Sequence, residues 1–136
     1  MIIKIKKKAL FVGRFQPCTL AHQWLFETKL SQGIPILIAI RDVEPDEKNP
    51  LTAKQSAYLI RKVYEGKDVE VIIIPDIESI NWGRGVGYST TEHTPPDGIK
   101  EISATYIRES IKKEDGSWKQ FVNTIIHEDV ENYFKK

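Results

Sequence analysis

Residues Gly13 to His22 read Gly-Arg-Phe-Gln-Pro-Cys-Thr-Leu-Ala-His, directly after the apolar run Ala9-Leu10-Phe11-Val12. That order is the pattern of a strand, a tight turn and the start of a helix. A glycine at the end of a strand lets backbone approach a ligand closely. The helix that follows offers unpaired N–H groups and a positive dipole end to an anion such as phosphate. Thr19 and His22 lie three apart in the first turn, so their side chains share one face. A hydroxyl and an imidazole over an anion site can position and polarise a phosphate. Alone, a histidine in a first helical turn is usually a satisfied structural residue, and a threonine before it an ordinary N-cap. Their grouping with Gly13 is what favours chemistry.

These residues need a scaffold, and the rest of the chain supplies the pattern of one. Short apolar runs alternate with helical periodicity, the signature of strand-helix-strand units around a parallel sheet. Ala9 to Gly13 is the first strand. Leu20, Gln23, Trp24 and Phe26 to Leu30 follow helical spacing, ending near Gly33. The unbroken apolar run Ile34 to Ile40 is a second strand buried on both faces. Thr52-Ala53-Lys54-Gln55 has capping-box spacing, which predicts a helix from Thr52 to Glu65 stopped by Gly66. Val69 to Ile74 is a third strand, Ser103 caps a helix to Lys112, and Ser117-Trp118-Lys119-Gln120 is a capping box that opens a last helix. The expected fold is α/β, a doubly wound Rossmann-like parallel sheet flanked by helices, in one domain over residues 1–136. Arg41 to Pro50 and Pro75 to Lys100 are polar loops after the second and third strands, where ligands of open parallel sheets bind. Gly83-Arg84-Gly85-Val86-Gly87 lacks the Lys-Ser/Thr of a phosphate loop and is a flexible loop. His93 and His127 lack partners at metal-ligand spacing and are surface residues.

The segment Gly13 to His22 resembles the (H/T)xGH signature of the nucleotidylyltransferase superfamily in its GRFQP form, typical of nicotinamide mononucleotide adenylyltransferases and related proteins. Ile102-Ser103-Ala104-Thr105-Tyr106-Ile107-Arg108 resembles the ISxTxIR signature of the same superfamily, and Asn49-Pro50-Leu51-Thr52 its archaeal NPFT segment. The order and separation of the segments fit, and the resemblance covers roughly residues 9 to 112. Thr19 stands where the commoner form has a first histidine, and Ala21 where it has glycine. Only 19 residues separate Trp82 from Ile102, where the archaeal enzymes carry a further strand-helix segment that helps build the dinucleotide pocket.

The resemblance implies that a phosphate of an acceptor attacks the α-phosphorus of a nucleoside triphosphate and that pyrophosphate leaves. Such a transfer is catalysed by alignment and by fixed donors or positive charge, together with a divalent metal. It assigns His22 to the transferring and leaving phosphates, Thr19 to a hydrogen bond near the same group, and Arg108 with the helix start at Ser103 to the β- and γ-phosphates. Gly13, Arg14, Phe15 and Thr105 join the nucleotide and phosphate site. The metal is Mg²⁺, held mainly by triphosphate oxygens and water rather than by protein ligands. Asp76, at the end of the third strand, is a candidate to bind a polar group of the acceptor. Trp82 is open between stacking on a base or nicotinamide ring and serving as a core or lid aromatic.

Composition sets limits on these readings. The chain has 136 residues and a net charge of +1, which leaves no face-wide basic excess for a nucleic-acid partner. The single cysteine, Cys18, cannot form an internal disulfide, and no stretch approaches the ~20 apolar residues of a membrane span. A reducing cytoplasm is the expected compartment, with Cys18 packed or partly exposed. Met1 to Lys8 is basic, lacks the apolar region and cleavage site of a signal peptide, and is expected to lead into the first strand. The expected activity is adenylyl transfer from ATP to a phosphate-bearing small molecule such as nicotinamide mononucleotide. The alternatives are a cytidylyltransferase using CTP and a phospho-alcohol, a nucleotide-binding module without turnover, and an interaction domain. The resemblance admits a homo-oligomer.

Overall fold

A computed structural model describes residues 7–135; of the lead-in expected for Met1 to Lys8, all but Lys7 and Lys8 lies outside the described residues. The alternation of apolar runs and helical patterns becomes β1 (Ala9–Gly13), α1 (Leu20–Leu30), β2 (Ile36–Asp42), α2 (Ala53–Val63), β3 (Val69–Pro75), α3 (Ala104–Lys113) and α4 (His127–Phe134). Two 3-10 turns, Ser117–Phe121 and Thr124–Ile126, stand before α4. The strands form one parallel three-stranded sheet in the order β1-β2-β3.

β2 is central, which explains its continuous apolarity: Ile36, Ile38, Ala39 and Ile40 are all buried. It begins two residues later than its apolar run, because Pro35 cannot donate to a ladder; its carbonyl instead accepts the N–H of Ala9. Gly33 and Gly66, both at positive φ, stand after α1 and α2, where the sequence placed helix stops. In register, Phe11, Ile38 and Val71 form one row across the sheet. The Phe26 ring of α1 meets Phe11 edge-on at 5.5 Å and Tyr64, at the end of α2, at 5.9 Å. Both crossover helices therefore pack over the same face, as right-handed connections between successive parallel strands require. The opposite face carries Leu10, 54% exposed.

Hydroxyl caps set the helix starts. Thr52 accepts from the Gln55 N–H while the Gln55 side chain accepts from the Thr52 N–H, the reciprocal pair that the spacing predicts. Ser103 accepts from the Tyr106 N–H at 3.1 Å and opens α3. The box expected at Ser117 does not form, and α4 starts instead at His127. The Ser117 hydroxyl is taken by Asp115, Ser110 and Tyr106, its N–H donates to Asp115, and the Gln120 amide turns back to the Ser117 carbonyl. Those bonds pull the segment into a 3-10 turn at the end of α3. From Asp76 to Ser103 no helix or strand forms. Among the described residues no helix is long and apolar enough to cross a membrane.

Candidate functional site

The turn after β1 is built around an aromatic ring rather than around open space. A Cβ on Gly13 would lie 2.8 Å from the end of the Phe15 ring, so glycine is required because Phe15 folds back over the strand end. Phe15 adopts φ 52°, uncommon for a residue with a side chain. This conformation sends its ring into the core, edge-on to Phe26 at 5.1 Å and to His22 at 5.2 Å. Phe15 is buried, and its ring packs against the His22 imidazole. Likewise Gly13 makes room for a protein ring.

Thr19 and His22 form a capping box with a histidine in the place usually held by Glu or Gln. The Thr19 N–H donates to His22 Nδ1 at 3.1 Å, and Thr19 Oγ1 accepts from the His22 N–H at 3.4 Å. A ring nitrogen that accepts carries no proton, so the neutral ring holds its hydrogen on Nε2. Burial pushes the His22 pKa down to about 4, against a smaller opposing effect of a hydrogen bond with the Pro17 backbone. At neutral pH His22 is therefore an uncharged N–H donor with a fixed tautomer. Thr19 is itself buried, and its hydroxyl and N–H both face His22.

The Arg14 Nε and Nη2 atoms are buried and have no hydrogen-bond partner among the described residues. Leaving charged donors unpaired away from water is costly, and an anion reaching them would satisfy both. Its charge also reaches the carboxylates of Asp46 and Asp76, helping to lower both. Asp76 is bound first to Arg41, whose Nε donates at 2.8 Å, and next to the Ile77 N–H, and these bonds hold its carboxyl below the usual range. Arg14, Arg41 and Asp76 thus gather where β1, β2 and β3 end.

Loop 43–50 connects this cluster to α3. Asp46 accepts from the N–H groups of Asn49 and Lys48, which lower its carboxyl. The next residue, Glu47, offers its carbonyl to Arg108 Nη1 at 2.5 Å. Arg108 also lines a cleft of about 370 Å³ with Glu47, Pro50, Lys112, Tyr133 and Phe134. Ser103 and Thr105 are exposed in the first turn of α3, and no hydrogen bond ties either to the turn at 13–22. Trp82 is 48% exposed and meets only Tyr88 edge-on, at 6.0 Å. The structure thereby excludes a core role for Trp82. Gly85 and Gly87 both take positive φ in this exposed loop, which agrees with the loop reading of 83–87.

The chain matches no protein-family model and no curated protein. The site therefore has to be judged by its own geometry.

One residue of that geometry escaped the sequence reading. Gln16 is buried, donating from Nε2 to the Leu51 carbonyl at 2.7 Å and accepting the Leu51 N–H on Oε1 at 2.9 Å. An amide has no acid-base chemistry to draw attention, although its place between Phe15 and Pro17-Cys18 in a buried turn was a signal. Two histidines also change standing. His127 is half-buried, its ring 5.1 Å from Trp118 and its Nε2 bonded to the Val122 carbonyl at 2.7 Å, so it is a packing residue rather than a surface one. His93 is half-buried near the edge of Trp24. Cys18 is fully buried, and burial pushes its thiol up to about 12, which keeps it protonated. Among the described residues no three His, Cys, Asp or Glu side chains gather as metal ligands.

Proposed function

We propose that this chain is a small nucleotidylyltransferase that moves a nucleoside monophosphate, AMP from ATP, onto a phosphate-bearing small molecule such as nicotinamide mononucleotide. The observation that carries the reading is Arg14, with two buried and unpartnered guanidinium nitrogens at the end of β1, on the turn that leads to a histidine held neutral by burial. The three-strand order with both crossovers on one face is the arrangement of one half of a doubly wound sheet, and we read the fold as Rossmann-like on that basis. The motifs quoted above for the nucleotidylyltransferase superfamily support the same assignment.

In the proposed reaction an acceptor phosphate oxygen forms a bond to the α-phosphorus, and the bond from that phosphorus to the bridging oxygen breaks. The electron pair leaves with pyrophosphate. Arg14 binds phosphate oxygens through the two free guanidinium nitrogens. His22 donates from Nε2 to the oxygen on which charge accumulates, with no proton transferred outright. Thr19 orients that ring through Nδ1 and stands close to the same group. Arg108 exchanges its bond to the Glu47 carbonyl for the β- and γ-phosphates, alongside Ser103 and Thr105 at the start of α3. Asp76, already paired with Arg41, and Trp82, exposed on the loop, take the acceptor. Mg²⁺ enters as part of the substrate, chelated by the triphosphate. The setting proposed is the cytoplasm.

A second reading, a nucleotide-binding module without turnover, is favoured by one observation. Segment 76–103 contributes no strand or helix to enclose an acceptor. Pyrophosphate release separates the two. ATP and CTP, each with Mg²⁺, are offered against nicotinamide mononucleotide, glycerol 3-phosphate, phosphocholine and phosphopantetheine. Release with ATP and one acceptor, lost in Arg14→Ala, supports adenylyl transfer. Release with CTP alone moves the assignment to cytidylyl transfer. Binding without release in any combination favours the module.

A further inference from the structure

We infer that Gln16 is a positioning residue that locks loop 43–50 to the turn carrying Arg14, so that Arg14 and the loop that holds Arg108 through the Glu47 carbonyl keep a fixed relation to one another. The inference rests on the proposed phosphate site and adds to it the element that sets its width.

The two bonds from Gln16 to Leu51, at 2.7 and 2.9 Å, satisfy both backbone groups of one residue with one side chain. They act as a single rung of sheet between the turn and the entry to α2. Gln16 is buried, and the Leu51 side chain is buried in the core immediately before the Thr52 capping box. On one side, Arg14 lies two residues before Gln16. On the other, Asp46 and Glu47 lie a few residues before Leu51, with Asp46 in the field of Arg14 and the Glu47 carbonyl on Arg108. The path from Arg14 to Arg108 therefore runs through Gln16, Leu51 and Glu47. Arg108 has no hydrogen bond to the turn itself among the described residues, so removing the rung leaves the two cations independent. Fixed donors stabilise a transferring phosphate because they need not reorganise when charge shifts. A rung that fixes their separation contributes through them and touches no substrate.

The test uses Gln16→Met, which fills the same space without either bond, and Gln16→Glu, which keeps the acceptor for the Leu51 N–H. Hydrogen exchange in the ligand-free protein reads the clamp directly. At Leu51 and residues 46–49 exchange is expected to rise at least tenfold in Gln16→Met, less in Gln16→Glu, and to stay unchanged at Ile60 within α2. Inorganic tripolyphosphate with Mg²⁺ then probes the site without nucleobase or acceptor. The dissociation constant is expected to rise tenfold or more in Gln16→Met, and KM for the triphosphate to rise more than kcat falls. Unchanged exchange at residues 46–51 overturns the inference. So does a lowered unfolding midpoint with an unchanged dissociation constant, which makes Gln16 a stability residue only. If the wild-type protein itself does not bind tripolyphosphate, the phosphate site is wrong, and exchange at 46–49 still decides whether Gln16 holds the loop.

Discussion

His22 illustrates how a local bond sets the chemistry available to a side chain. Its Nδ1 is spent on the Thr19 N–H, and burial holds its pKa at about 4, well below the 6.5 of a free imidazole. The folded state therefore resists protonation. Stability from this group is fully present above pH 6.5, declines as pH falls toward 4 and is constant below, for a loss of about 3 kcal/mol. Carboxylates also titrate there, so the contribution is isolated by comparison with His22→Gln, which keeps a capping-box residue at that position. Urea midpoints measured between pH 7 and 4 are expected to fall more steeply for the wild type than for His22→Gln. Equal slopes would show that the imidazole titrates freely. If the proposed role of His22 holds, the same variant is expected to lose about 10²- to 10³-fold in turnover, the range for removing one fixed donor to developing charge, while retaining its fold. Gly13→Ala tests the ring beneath. With a Cβ placed 2.8 Å from the Phe15 ring, the ring must shift against His22 and Phe26, at a cost of about 1–3 kcal/mol. The denaturation midpoint checks it. The motif residues were legible from type and spacing. The reason for Gly13 and the burial of Phe15 were not, because a positive φ at a phenylalanine leaves no mark in the sequence.

At the scale of elements, legibility follows periodicity. β2 and α2 stood out because one is continuously apolar and the other has a hydroxyl cap, an amide three residues on and a buried stripe of Ala57, Leu59 and Ile60. The 3-10 turn at Ser117 did not, because its capping-box spacing was genuine while Asp115 and Ser110 competed for the same groups. Spacing cannot report which of two partners lies closer in space. The predictions here concern the anchors of the site. Phe26 is fully buried between Phe11, Phe15 and Tyr64, so Phe26→Ala removes the ring that joins α1 to β1, the turn at 13–22 and α2. A loss of about 3–5 kcal/mol is expected, read by denaturant unfolding. Thr52→Ala removes one half of a cap on an exposed start and is expected to cost about 1 kcal/mol. A larger effect, accompanied by faster exchange in 46–51, would mean that the cap also holds the loop end that Gln16 pins at Leu51.

At the scale of the whole molecule, the structure divides between a packed body and one long segment without helix or strand. The turn at 13–22, loop 43–50 and α3 are each tied to the core through Phe15, Leu51 and Ile107. Segment 76–103 is different: Ile77, Ile80, Trp82, Val86 and Tyr88 are all exposed on it. Its length and polarity were legible, and its position outside any crossover was not, since only the tertiary structure tells a lid from an unfinished strand. If triphosphate is held by the body and the acceptor by the segment, cutting the segment should separate the two activities. A specific protease site inserted after Arg84, in the exposed glycine turn, allows the cut without disturbing a strand or helix. The nicked protein is expected to keep the thermal stabilisation that ATP and Mg²⁺ give the intact protein, because ligand binding to the folded body raises the midpoint by mass action. It is expected to lose pyrophosphate release by at least tenfold, through a raised KM for the acceptor rather than for the triphosphate. Loss of the thermal shift on cutting would place triphosphate binding on the segment and remove Arg14 from the centre of the site. Unchanged release would show that the acceptor does not depend on an intact segment.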